Sequence, residues 1–129
     1  MKIALTSVMV DDQEKALSFY TDKLGFQKKE DISMGQYRWL TVTSPEGVSG
    51  VELVLEPMGF PPAQVFQKAL YDAGIPATAF FTTDIQAEYS RLKGLGVVFR
   101  GEPKNMGPVT VVVFEDTCRN LLNLVQPAK

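Results

Sequence analysis

The chain repeats one pattern of residues at a nearly constant spacing. The segment "SFYTDKLGF" occupies residues 18–26, and a weaker version, "SRLKGLGVV", occupies residues 90–98. Other positions follow the same spacing: Leu5 with Ala77 and Asp12 with Asp84 at an offset of 72, and Glu52 with Asn123 at an offset of 71. Because the offset holds to within one residue along most of the chain, we interpret the sequence as two copies of one supersecondary unit.

Each copy begins with an alternating strand and continues with a capped helix. In the first copy "IALTSVMV" (3–10) alternates with period two, Asp11 stands at the capping-box distance from Glu14, and Gly25 ends the helix. In that helix Leu17, Tyr20 and Leu24 are predicted to form the buried stripe. The second copy has "ATAFFTT" (77–83), an Asp84 cap and a terminating Gly96.

Three strand-like segments follow the helix in each copy. They are "FQKKEDI", "YRWLTVT" and "VELVLE" in the first, and "VVFRG", "VTVVVFE" and "NLLNLVQ" in the second. The predicted fold is therefore α+β, with the order β-α-β-β-β used twice. We expect one domain over residues 1–127, with module one at about 1–57, a connector helix at 61–74 that starts at Pro61-Pro62, and module two at about 75–127.

Charge and hydropathy argue against two classes of partner. The formal net charge of −2 and the absence of a Lys/Arg cluster longer than "KK" leave no basic field for nucleic acid. No apolar run approaches the length that spans a bilayer, and the start "MKIALTSVMVDD" does not resemble a signal peptide, so we expect no membrane partner. A single cysteine, Cys118, agrees with a reducing compartment, and we expect a cytoplasmic protein.

The chain contains no histidine. This composition excludes an imidazole base, a histidine-containing catalytic triad and histidine metal ligands within the chain.

Three phrases of the sequence resemble the vicinal oxygen chelate superfamily, which includes glyoxalase I, bleomycin-resistance proteins and extradiol dioxygenases. They are "VDDQEKALSFYTDKLGF", "TDIQAEYSRLKGLGV" and "EDTCRNLLNLVQP", in that order along the chain. The resemblance implies two βαβββ modules whose sheets curl into one open, barrel-like cleft. Arg119 departs from the family, which commonly has Gly there, and this departure is expected to alter the turn.

Period-two alternation then assigns the residues that would line the cleft. We expect the following to contact a ligand: Leu5, Ser7, Trp39, Thr41, Glu52, Ala77, Phe81, Val111 and Asn123. This lining is apolar with few polar groups, as in small-molecule sites generally.

Metal-using members of the family place one ligand on the first strand and one on the last strand of each module. By the family spacing the first-strand positions are Leu5 and Ala77, which cannot bind a metal. The last-strand positions are Asn123 and either Glu52 or, counting back from Pro57, Leu53. We therefore predict no metal and no other cofactor, because two donors at most remain.

The sequence favours a metal-independent protein that binds a small amphipathic or aromatic molecule. The alternative is a glyoxalase-, lyase- or dioxygenase-type enzyme with a degenerate metal site, in which Glu52 would be the catalytic base. Family members of this length commonly pair two chains, so a homodimer is expected.

Overall fold

The computed structural model describes all 129 residues, which form two compact units, Met1–Phe66 and Gln67–Lys129. The first unit contains β1 (Leu5–Val10), α1 (Gln13–Ser18), a π-helical segment (Phe19–Lys23), β2 (Gln27–Met34), β3 (Tyr37–Thr43) and β4 (Glu52–Pro57). The helix α2 (Pro61–Ala73) contains the boundary between the units. The second unit continues with β5 (Thr78–Phe81), α3 (Ile85–Gly94), β6 (Lys104–Asn105), β7 (Val109–Glu115) and β8 (Leu121–Pro127). None of the helices is both long enough and apolar enough to cross a membrane.

Both sheets have the same topology. The strand orders are β1-β4-β3-β2 and β5-β8-β7-β6. In each sheet the first strand pairs in parallel with the last strand of its module, and the other neighbours are antiparallel. This topology confirms the predicted α+β class and the two βαβββ modules.

The core of the first unit lies between its sheet and the helix that follows β1. Val8, Leu40 and Leu55 are buried on one face of the sheet. The helical segment contributes Tyr20, which is fully buried and packs edge-on against Phe19 with ring centroids 5.4 Å apart. Alternation along β3 and β4 directs every second side chain into this core.

The buried residues of the helical segment differ from the predicted stripe. The predicted stripe was Leu17, Tyr20 and Leu24, and only Tyr20 of these is fully buried. Ala16 and Phe19 are buried instead. Ala16, Phe19 and Tyr20 have i, i+3, i+4 spacing, so the buried stripe begins one residue before Leu17. Leu24 lies after the π turn, which inserts an extra residue into the helical repeat and shifts the positions that follow it.

The N-cap of α1 is Asp12 and not the predicted Asp11. The Asp12 side chain accepts a hydrogen bond of 2.9 Å from the Lys15 N–H, while the Asp11 carboxylate pairs with the Lys15 ammonium at 3.2 Å. In the second unit Asp84 caps α3 as predicted, accepting from the Ala87 N–H. The two caps are therefore Asp12 and Asp84, which the 72-residue offset relates.

The second unit repeats the arrangement with a shorter outer strand. Val112, Phe114 and Leu122 are buried on one face of the sheet, and Ile85 and Leu92 of α3 are buried as well. The predicted strand "VVFRG" is wrong: this segment makes only an isolated bridge, Phe99 to Phe114, and β6 begins later, at Lys104. Gly101, with φ of 128°, and Pro103, which lacks an N–H, interrupt the pairing between them.

A buried hydrogen-bond network closes the turn between β7 and β8. The Asp116 carboxylate, which is 1% exposed, accepts from the Cys118 N–H at 2.7 Å and from the Asn120 N–H and side-chain amide at 2.9 and 2.8 Å. Gln67 of α2 donates to the Cys118 carbonyl and the Asn120 side-chain oxygen. Arg119 adopts a left-handed φ of 64°. This is the position at which family members commonly have Gly, which takes that conformation without strain.

Replacement of Asp116 by Ala should lower the free energy of unfolding by about 2–4 kcal/mol, because three buried donors would lose their acceptor. The matched control is Thr117→Ala in the same turn, where the side chain is exposed. Urea unfolding monitored by circular dichroism measures both changes. Equal stability of the two variants would contradict a stabilising role for the network.

Candidate functional site

The face of the first sheet opposite α1 carries all five candidate residues of module one. Parallel pairing places Leu5 beside Glu52 and Ser7 beside Val54, and antiparallel pairing places Thr41 opposite Val54. Trp39 precedes Thr41 by two residues on β3 and therefore shares its face. Leu5 is 47% exposed and Trp39 is half-buried. We call this surface, formed by Leu5, Ser7, Met9, Trp39, Thr41, Glu52, Val54 and Glu56, the first open face.

Glu52 is held on this face by a directed hydrogen-bond chain. The Thr41 hydroxyl, which is fully buried, donates to Glu52 Oε1 at 2.7 Å. The same hydroxyl accepts from the Glu30 N–H at 3.1 Å, and this fixes the direction in which its single proton points. Glu52 Oε2 has no hydrogen bond or ion pair within the chain and remains free to accept one.

The alternative position, Leu53, lies on the other face. Leu53 pairs with Thr6 and Val42 and is buried in the core of the first unit. A one-residue step along a strand exchanges the faces. Of the two sequence alternatives, only Glu52 lies on the first open face.

The second sheet also has an open face, and it is almost wholly apolar. Asn123 pairs with Ala79 on one side and with Val113 on the other. The Asn123 side chain is half-buried and its amide makes no hydrogen bond within the chain. The surface, which we call the second open face, comprises Ala77, Ala79, Phe81, Val111, Val113, Asn123 and Val125.

The neighbouring residues Phe80 and Phe81 lie on opposite faces of β5. Phe81 is 69% exposed on the second open face, whereas Phe80 pairs with Leu124 on the core side.

Ala77 lies one residue before β5 and donates its N–H to the Leu121 carbonyl at 2.8 Å. Val111 lies opposite Val125. The four candidates of module two therefore belong to one surface.

The pairing of the first strand with the last strand differs between the two sheets by two residues from what the sequence offsets predict. Glu52 pairs with Leu5, but Asn123 pairs with Ala79, the counterpart of Ser7 at the 72-residue offset. Because Ser7 itself pairs with Val54, the structural counterpart of Asn123 is Val54. The sequence offsets relate Leu5 to Ala77 and Glu52 to Asn123. The strand pairing does not allow both relations at once, so this combined expectation is wrong. A two-residue slip keeps the face, so the assignment of Asn123 to an open face is unaffected.

Comparison with known proteins identifies the family. The model of the Glyoxalase/Bleomycin resistance protein/Dioxygenase superfamily matches residues 2–124. The chain belongs to this superfamily. An uncharacterized protein of Bacillus subtilis (strain 168), YurT, is 55% identical over 126 residues, covering 98% of this chain and 99% of YurT.

Solved structures agree with the superfamily fold. The crystal structure of UcmS2 matches with a TM-score of 0.82 and 32% identity, covering 97% of each chain. The crystal structure of TnmS3, described as an antibiotic binding protein from Streptomyces sp. CB03234, matches with a TM-score of 0.78 and 32% identity over 99% of this chain and 97% of TnmS3.

The residues on the open faces do not fit the metal site of metal-using superfamily members. Leu5 and Ala77 offer only hydrocarbon, and no group of three or more His, Cys, Asp or Glu side chains is placed to hold a metal ion. Glu52 and Glu56 lie four residues apart on one strand, so their Cα atoms are about 13 Å apart. Two carboxylates at that separation are poorly placed to chelate one ion.

Sequence reasoning did not single out a polar groove of about 510 Å³ in the first unit, whose lining includes Gln13, Glu14, Tyr37, Arg38 and Gln64. The basic group of this groove is already paired. Arg38 bonds the Asp31 carboxylate at 2.8 and 2.9 Å and Glu14 at 2.6 Å, and it lowers the pKa of Asp31 to about 2. These pairings neutralise Arg38 and leave it poorly suited to bind an anion.

Proposed function

We propose that this chain binds a small amphipathic or aromatic molecule on its open sheet faces without the help of a metal. The observation that carries the proposal is the composition of those faces. The second is almost wholly apolar and the first combines apolar with polar residues, and each bears a side chain with unused hydrogen-bonding capacity, Glu52 on the first and Asn123 on the second. Apolar walls supply contact area, and a few polar groups supply orientation.

The comparison with TnmS3 supports binding as the activity. That protein is described as an antibiotic binding protein and is 32% identical to this chain along nearly its whole length. We carry over to this chain only the general activity, retention of a small organic molecule.

The enzymatic alternative would use Glu52 as a general base. Its carboxylate is oriented by Thr41, as a base requires. General acid–base chemistry also needs an electrophile or an acid near the reacting atoms. No Lys, Arg or His lies on this face of β1, β3 or β4, so binding is the better-supported proposal.

Replacing Glu52 or Asn123 by Leu should weaken binding of a ligand found by thermal-shift screening. Each lost hydrogen bond should cost about 1–3 kcal/mol of binding free energy where the ligand group is left unpaired. Isothermal titration measures the change, and Glu46→Leu in the exposed β3–β4 loop is the control. Unchanged affinity in both variants, with melting temperatures preserved, would show that the ligand binds elsewhere.

Purified without added metal, the protein should contain no stoichiometric zinc, nickel, iron or manganese. The reason is the donor set, because hydrocarbon occupies both first-strand ligand positions. Elemental analysis before and after brief chelation is the test. About one equivalent of metal that survives chelation would refute the proposal of metal-independent binding.

We also propose that the chain forms a homodimer through the N-terminal part of α2. Phe60, Val65 and Phe66 are 70%, 70% and 63% exposed, and Val65 and Phe66 share a stripe with Pro62 at helical spacing. Large apolar side chains exposed together on a helix favour association.

The double variant Val65→Glu/Phe66→Glu should convert a dimer into a monomer, because two charges would enter the apolar contact. Light scattering at micromolar concentration measures the mass. Lys68→Glu, on the flank of the same helix, changes the net charge by the same amount and should leave the dimer intact. A wild-type mass of 14.3 kDa would contradict the dimer, and a dimer that survives the double variant would contradict this surface.

A further inference from the structure

The first open face carries two carboxylates with free oxygens on one strand. Glu52 and Glu56 are both on β4, two residues to either side of Val54, and both are half-buried. Thr41 engages one oxygen of Glu52, and Glu56 makes no side-chain hydrogen bond or ion pair within the chain. Three acceptor oxygens on this apolar face therefore have no partner in the protein.

The single tryptophan lies on the same face as these carboxylates, at the Glu56 end of β4. Thr41 pairs with Val54, and Trp39 on β3 and Glu56 on β4 each lie two residues beyond that pair toward the same end of the face, while Met9 of β1 pairs with Glu56. Trp39 is half-buried, so part of its ring system is accessible. An indole face attracts both planar rings and cations.

No Lys or Arg side chain forms an ion pair with these carboxylates. The Arg and Lys side chains of the first unit that form ion pairs do so with other carboxylates. Arg38 pairs with Asp31 and Glu14, Lys28 pairs with Asp31, and Lys15 pairs with Asp11. Lys29 lies in the irregular part of the outer strand β2, where the register shifts between Lys28 and Asp31, and forms no ion pair. A half-buried carboxylate beside apolar walls is stabilised by an opposite charge more strongly than one in water.

We propose that the first open face selects a planar apolar molecule that bears a protonated amine. This inference rests on the proposed function and specifies its ligand class. The ring system stacks on Trp39, and the ammonium donates to Glu56 and, in a longer ligand, to Glu52 Oε2. Thr41 is a positioning residue, because its hydrogen bond to Oε1 holds the Glu52 carboxylate in place.

Three probes that share one ring system and differ in charge test the proposal. They are 1-naphthylmethylamine, 1-naphthalenemethanol and 1-naphthylacetate, each titrated at pH 7 into the full-length protein. Quenching of Trp39 fluorescence reports binding at this face, since the chain has no other tryptophan. The amine should bind about tenfold more tightly than the alcohol, the difference expected between a charge-assisted and a neutral hydrogen bond, and the carboxylate should bind most weakly.

The double variant Glu52→Gln/Glu56→Gln should reduce the affinity for the amine to that for the alcohol and leave the alcohol unchanged. Glutamine keeps the size of the side chain and an oxygen for the Thr41 hydroxyl, and Glu46→Gln controls for loss of charge alone. The preference for the amine in the wild-type protein needs no variant and tests the proposal even if a variant folds poorly.

The outcomes separate the two proposals. If all three probes bind equally, or if the preference for the amine persists in the double variant, the cationic ligand class is refuted while small-molecule binding stands. If none of the three binds at millimolar concentration and a broad thermal-shift screen also finds no ligand, both proposals are refuted.

Discussion

The pairing of β4 between β1 and β3 determines where every candidate residue of the first unit lies. Backbone hydrogen bonds on both sides of β4 fix its register, and a one-residue change would move each of its side chains to the opposite face. In the observed register Leu53 and Leu55 point toward the helix side of the sheet, and Glu52 and Glu56 are half-buried on the opposite face, with the buried Val54 between them. A slip by one residue would bury two carboxylates and expose two leucines. The burial of the leucines therefore also fixes the position of the acids.

Much of the fold could be predicted from the sequence because the longer strands alternate with period two, an Asp caps the helix of each module, and a Gly follows each helix. The bounds of β3 and β7 agree with the predicted segments "YRWLTVT" and "VTVVVFE". The π-helical segment was missed because it leaves no local signature, and the buried stripe of Ala16, Phe19 and Tyr20 begins one residue before the predicted Leu17. The missing strand at 97–101 reflects backbone geometry at Gly101 that apolar content does not indicate.

The sequence predicts part of the candidate site, because side chains alternate between the two faces along each strand. Period two assigns faces, so the five candidates of the first unit and the four of the second each share a surface. The two-residue difference between the β1–β4 and β5–β8 pairings could not be predicted from the sequence offsets. A shift of a strand by two residues leaves the same side chains on the same face, so the pattern of polar and apolar residues does not reveal it. Glu56 was overlooked for a different reason. It matches no ligand position of the family, and its significance depends on the Trp39 that shares its end of the face and on the absence of an ion pair to its carboxylate.

The hydrogen bonds of Gln67 have a consequence for how the chain can be divided. The repeat suggests cutting the protein near Gly74, at the end of the helix between the copies. Gln67 precedes that point, yet its side-chain amide donates hydrogen bonds to the buried Cys118 carbonyl and to the Asn120 side-chain oxygen in the turn between β7 and β8. A fragment that begins at residue 75 would leave those acceptors without their donor, in a turn that also depends on Asp116. The repeat in the sequence and the hydrogen-bonded second unit therefore have different boundaries, and the second unit includes the part of α2 from Gln67 onward.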